Sequence, residues 1–84
     1  MITIYTRDNC IWCEKARETL ASFNIPFKVY NLGEDFSRED IKERFPFAKT
    51  YPIIFIGEKF VGGYTDLVME IAKNENFGKE ILFG

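Results

Sequence analysis

Cys10-Ile11-Trp12-Cys13 is the stretch that decides the fold, because a strand pattern gives way to a helix pattern across it. Upstream, Ile2-Thr3-Ile4-Tyr5 is rich in β-formers and alternates weakly, which predicts a strand. Thr6 to Asn9 is a polar loop. Downstream, Cys13, Ala16, Leu20 and Phe23 recur at three- and four-residue steps. That spacing predicts a helix from Cys10 to about Phe23 with those four residues facing the core and Glu14, Lys15, Arg17 and Glu18 facing water. The two cysteines are the only ones in the chain. At this spacing they can close a disulfide within one helical turn, and a thiol at a helix N-terminus is easier to ionise.

Beyond this helix Asn24 is a stop signal, with Pro26 following it. Phe27-Lys28-Val29-Tyr30 alternates and predicts a second strand; Asn31 to Phe36 connects, broken at Gly33. Ser37 opens a second helix as N-cap, with Asp40 three residues on in a near capping box. Ile41 and Phe45 form its apolar stripe and Pro46 ends it. Ile53-Ile54-Phe55-Ile56 is a continuous run of apolar β-formers, expected as a central strand buried on both faces. Gly57-Glu58 turns the chain, and Lys59-Phe60-Val61 returns antiparallel. After Gly62-Gly63, Tyr64-Thr65-Asp66 caps a third helix whose buried face is Leu67, Val68, Ile71 and Ala72. Asn74 to Gly78 is a break, and Lys79 to Phe83 is a short helix or strand. The order β-α-β-α-β-β-α predicts an α/β fold: a four-stranded mixed sheet with helices on both faces, the first β-α-β giving parallel strands.

The totals narrow the function. Eighty-four residues make one domain, 1–84, and 46% hydrophobic residues, nine of them Phe, suffice for a core. Lys plus Arg is 11, Asp plus Glu is 13 and the net charge is −2, so no nucleic-acid partner is expected. No apolar run approaches the ~20 residues of a membrane span, so no membrane partner is expected. The N-terminus reads as a strand rather than a signal peptide, which predicts a cytoplasmic protein. There, paired cysteines more often do chemistry or hold metal than staple a fold. The chain has no histidine, which removes Cys–His proteases, Ser–His hydrolases and every His-ligated metal site. A zinc site needs four ligands, more than two cysteines provide in one chain.

Cys10 is the candidate nucleophile: it sits at the helix cap, where free N–H groups and the dipole favour an anion, and Arg7 can bring a cation to the same mouth. Cys13 lies one turn inside, where burial keeps it a thiol and suits it to a resolving role. The expected reaction is thiol–disulfide exchange.

The chain resembles the glutaredoxins, small members of the thioredoxin-like superfamily. The matching pieces are Ile4-Tyr5-Thr6-Arg7, the Cys10–Cys13 stretch, Thr50-Tyr51-Pro52 with Ile54-Phe55-Ile56, and Gly62-Gly63-Tyr64-Thr65-Asp66-Leu67. They run in matching order and spacing from about Ile2 to Ala72. The resemblance implies a thioredoxin-like fold, recycling by glutathione, and a cis bond before Pro52 that leaves the Tyr51 backbone to pair with an extended substrate. It further implies that Thr65 and Asp66 bind the γ-glutamyl end of glutathione, with Gly63 letting the backbone come close. Arg7 and Lys49 would meet the glycyl carboxylate, and Trp12, Thr50, Tyr51 and Pro52 would flank the groove. The chain departs from the family pattern at Ile11 and Trp12 (often Pro-Tyr), at Arg7 (often Lys), at Tyr51 (often Val) and at Ile53 (often Gln). These departures bear on glutathione affinity more than on redox chemistry.

The activity expected is that of a dithiol glutaredoxin, a monomer that reduces client disulfides and glutathione mixed disulfides, ribonucleotide reductase being a typical client, and that needs no metal. Two rivals stand beside it. One is a thioredoxin-like donor served by a reductase instead of glutathione. The other is a dimer holding an iron–sulfur cluster through Cys10 thiolates and glutathione.

Overall fold

A computed structural model describes residues 1–73, and the short element expected at Lys79–Phe83 lies outside them. Seven elements follow one another in the expected order among the described residues: β1 (Ile2–Thr6), α1 (Ile11–Ser22), β2 (Phe27–Asn31), α2 (Arg38–Arg44), β3 (Ile53–Ile56), β4 (Lys59–Gly62) and α3 (Tyr64–Lys73). The strands form one mixed sheet in the order β2-β1-β3-β4. β1 runs parallel to β2, with Ile4 opposite Val29, and antiparallel to β3, with Ile4 opposite Ile54. β3 and β4 form the hairpin, with a register shift between Ile54 and Phe55.

Alternation along β1 and β3 assigns the two faces of the sheet. Ile2, Ile4 and Ile54 point to one side and pack with Ala16 and Leu20 of α1 and Leu67 of α3. Tyr5 and Ile53 point to the other and pack with Ile41 of α2. α1 and α3 thus cover one face and α2 the other. The second face is largely aromatic: the Tyr5 ring lies 5.4 Å from Tyr30, 5.5 Å from Phe36 and 5.1 Å from Phe45. Each fully buried Ile or Leu stabilises the fold by roughly 1.5–3 kcal/mol, and Ile2, Ile4, Leu20, Ile54 and Leu67 are all solvent-free.

Local chemistry sets the helix ends. Cys10 is the N-cap of α1, with extended backbone (φ −118°, ψ 100°). Phe23 is its C-cap and Asn24 takes a left-handed φ of 58°, the stop expected there. α2 carries a full capping box: the Ser37 hydroxyl accepts from Asp40 N–H at 3.1 Å and the Asp40 carboxylate accepts from Ser37 N–H at 2.9 Å. The shorter Asp thus closes the box in place of the usual Glu or Gln.

Three expectations are corrected. Phe23 is 53% exposed, because the helix ends one residue before it and the ring leaves the stripe. On α3 the buried stripe is Leu67 flanked by half-buried Tyr64 and Ile71, which lie three residues before and four after it. Val68 and Ala72 are one step around the helix and exposed. Third, β3 is central and its Ile53 and Ile54 are buried, but Phe55 and Ile56 are half-buried because the hairpin end is thinly covered.

Candidate active site

Cys10 and Cys13 form a disulfide across the first turn of α1, with Cα atoms 5.2 Å apart. Cys10 is 6% exposed and Cys13 1%. The backbone N–H of Cys13 donates to the Cys10 sulfur at 3.2 Å. As N-cap, Cys10 therefore does with sulfur what Ser or Asp does with oxygen, and its sulfur lies where the free N–H groups of the helix converge. A backbone N–H donor and the positive end of the helix dipole thus both point at this sulfur.

The loop entering the helix is pinned to the end of β2. Thr6, a buried hydroxyl, donates to the Asn31 side-chain oxygen at 3.0 Å, and the Asn31 amide donates to Asp8 at 3.2 Å and to Glu34 at 3.0 Å. Sequence reasoning missed this network; Asn31 lies in a stretch that reads only as a connection. Arg7, in the same loop, is exposed and donates to the Asp8 carbonyl at 3.3 Å. It shares a polar cavity of about 330 Å³ with Cys10.

The other residues singled out from the sequence collect around two further cavities. Arg7, Trp12, Lys49, Thr50 and Tyr51 line one of about 580 Å³. Trp12, Thr50, Tyr51, Pro52, Gly63 and Thr65 line one of about 310 Å³. Trp12, Thr50 and Tyr51 belong to both and form the ridge between them. The Tyr51–Pro52 bond is cis, and the β1–β3 ladder ends at Tyr5–Ile53, so the Tyr51 backbone takes no part in it. Trp12 is 51% exposed and lies against Tyr64, with ring centroids 5.4 Å apart. Tyr64 lines the smaller cavity and its hydroxyl lies 3.4 Å from that of Thr19. On sequence alone Tyr64 stands out only as part of the α3 cap and of the Gly62–Leu67 stretch that carries the resemblance.

Asp66 is placed differently from the expectation. The first carbonyl of α3 is that of Gly63, which accepts from Leu67 N–H at 3.0 Å, and the Asp66 carboxylate accepts from Gly63 N–H at 3.0 Å. Asp66 is therefore the third helical residue reaching back to the cap, not the cap itself, and it lines neither of the two cavities. Ile53 is 2% exposed and forms apolar floor in the larger cavity. That cavity also takes in two cations that the sequence reading did not single out, Arg38 and Lys42 of α2. Burial pushes the Tyr51 phenol above its ordinary range, against a pull down from the Arg38 and Arg7 guanidiniums.

The strand order and a first helix that begins on a paired thiol put the protein in the thioredoxin-like class. A family model described as Glutaredoxin matches residues 2–61. Glutaredoxin-2 of Schizosaccharomyces pombe is 30% identical over 69 residues, covering 79% of this chain and 63% of that one. A probable glutaredoxin of Acanthamoeba polyphaga mimivirus is 35% identical over 69 residues, covering 69% and 65%. The chain thus spans just under two thirds of the length of these two relatives. Among solved structures, glutaredoxin 1 of Francisella tularensis superimposes with a TM-score of 0.75 at 29% identity, covering 89% of this chain and 95% of that one. The chain belongs to the glutaredoxin family.

Proposed function

We propose that the protein is a dithiol thiol–disulfide oxidoreductase that reduces client disulfides and glutathione mixed disulfides and is itself recycled by glutathione. The observation that carries the reading is the bonded Cys10–Cys13 pair on the first turn of α1, with the Cys13 N–H directed at the Cys10 sulfur. In the reduced protein, Cys10 thiolate attacks one sulfur of the client disulfide; a Cys10–client bond forms and the other client sulfur leaves as thiolate. Cys13 loses its proton and attacks Cys10, releasing the second client thiol and closing the intramolecular disulfide. Two electrons have passed from the pair to the client. Two glutathione molecules return them and leave as glutathione disulfide.

In this reading Arg7 and Lys49 face the glycyl carboxylate of glutathione in the larger cavity. Thr65 and the α3 N-terminus face its γ-glutamyl end in the smaller one. Asp66 keeps one oxygen on Gly63, and from outside the cavity wall its other oxygen would meet the ammonium of a ligand that extends past Thr65. The Tyr51 backbone pairs with the extended chain between the two ends. Ribonucleotide reductase is the client to try first, and a cytoplasmic monomer is the setting, since a reducing compartment keeps such a pair cycling.

The test is a coupled assay of the oxidised protein with glutathione, glutathione reductase and NADPH. NADPH oxidation that depends on the protein is the expected result. Turnover supported only by thioredoxin reductase would overturn the glutathione dependence.

A further inference from the structure

Asn31, the last residue of β2, uses every polar group it has. Its backbone N–H donates to the Asp35 carboxylate at 2.8 Å, and its carbonyl accepts from Asp35 N–H at 2.8 Å. These two bonds close the turn after β2. The side chain does something else. Its oxygen accepts from the buried Thr6 hydroxyl at 3.0 Å, and its amide donates to Asp8 at 3.2 Å and to Glu34 at 3.0 Å. Thr6 and Asp8 lie 25 and 23 residues back along the chain, at the entrance to α1. One acceptor and two donors on a single neutral group are what an amide offers and a carboxylate does not.

The entrance to α1 is where such a hold matters. Arg7, Asp8 and Asn9 lie between β1 and α1 and are exposed. Asn9 takes a left-handed φ of 55°, uncommon outside glycine, and the next residue is Cys10. Arg7 donates to the Asp8 carbonyl at 3.3 Å. Asp8 therefore joins Asn31 on one side to Arg7 and the turn into Cys10 on the other. Cys10 also shares its cavity of about 330 Å³ with charges of both signs: Arg7 and Asp8 from the loop, Glu14 and Arg17 from α1, and Glu34 from beyond β2. Asn31 holds two of those three acids.

We propose that Asn31 is a positioning residue for Cys10: through Asp8 its amide fixes the loop that delivers Cys10 to the cap of α1, and through Glu34 it keeps a second carboxylate from that loop. The inference rests on the exchange chemistry proposed for Cys10 and adds to it a residue that acts only through the loop. An Asp at 31 would keep the acceptor for Thr6 but turn both donors into oxygens facing carboxylates. Like charges brought together there would push the loop away from β2, and a nucleophile that reacts as an anion would lose its placing.

The test follows alkylation by iodoacetamide against pH in protein reduced with dithiothreitol and then freed of it, the labelled cysteine being identified by mass spectrometry. At pH 7 Cys10 of Asn31→Asp should react about fivefold or more slowly than in the wild type, with the pH midpoint moved up. Asp8→Asn supplies a donor to the new carboxylate, so in that background the slowing should vanish. Glu14→Gln removes a charge from the same cavity without restoring any bond to residue 31, so there the slowing should persist in full. Asn31→Ala adds no charge and should slow Cys10 in the same direction, which carries the test should Asn31→Asp not fold. Urea midpoints accompany every rate. A lowered midpoint with wild-type alkylation in both Asn31 variants would make Asn31 a structural residue only and overturn the proposal. So would slowing that survives Asp8→Asn, or that Glu14→Gln relieves equally, since bulk charge would then account for it. Each of these outcomes, with the label on Cys10, overturns the positioning role alone. Label on Cys13 in the wild type would instead refute the exchange reading, and the inference with it.

Discussion

The Asp66 carboxylate accepts the backbone N–H of Gly63 at 3.0 Å. One acid thus holds the entrance of α3 and stands at the helix end assigned to the γ-glutamyl group. The two roles separate by mutation. Asp66→Ala loses the acceptor and should destabilise the fold by about 1 kcal/mol, and it should raise KM for glutathione. Asp66→Asn keeps an acceptor and loses the charge, so its urea midpoint should stay near wild type while KM still rises. Matching unfolding curves for Asp66→Ala and the wild type would show that the cap is not stabilising.

The adjacent glycines should behave differently. Gly62 has a left-handed φ of 125°, and a Cβ there would run into the Asp66 carboxylate. Gly62→Ala should cost about 1–3 kcal/mol in backbone strain, seen as a lowered Tm. A Cβ on Gly63 meets only the Pro52 carbonyl, at 3.8 Å, an ordinary contact. Gly63→Ala should therefore unfold like wild type, yet bind glutathione less tightly because the methyl enters the smaller cavity. Calorimetry and KM measurements on both variants check the contrast.

Cys10→Ser should abolish every exchange activity. Cys13→Ser should retain reduction of glutathione mixed disulfides, where a second glutathione resolves the intermediate, and lose reduction of protein disulfides. Assays on a glutathionylated peptide and on a disulfide-bonded protein distinguish the two. Parallel loss of both activities in Cys13→Ser would refute the division of labour.

Asp40 supplies the pH prediction. The Ser37 backbone N–H, and secondly its hydroxyl, hold the Asp40 carboxyl below the usual range. A depressed folded pKa means that the ionised form is the one the fold prefers. Its contribution is fully present above the unfolded value of about 3.9 and is lost as pH falls through the lower folded value. Asp40→Asn should lower the urea midpoint at pH 7, and the gap from wild type should close as the pH drops below about 4. A gap of constant size down to acid pH would assign the effect to lost geometry, not charge.

Much of the fold was legible because local signals agreed with one another. The β3 run Ile53–Ile56 and the Ser37–Asp40 box are unambiguous as sequence, and the structure has them in place. What failed was periodicity near helix ends. Phe23 continues the α1 stripe on paper, but Asn24 stops the helix and the ring turns to solvent. Val68 fits an apolar face equally well whichever way α3 is rotated, and only packing around Leu67 chooses. In the site, Cys10, Cys13 and Pro52 could be named because each is a rare residue at a fixed spacing. Arg38 and Lys42 could not, because their significance depends on α2 approaching Trp12 and Lys49 across the chain. The one local hint was a pair of cations one turn apart flanking the buried Ile41.

Trp12 is the chain's single indole, covalently placed between the two cysteines and resting on Tyr64. Disulfides quench indole emission and thiols do so far less. Reduction of the pair should therefore brighten the protein's own fluorescence, so its redox state can be followed optically in solution without any added label.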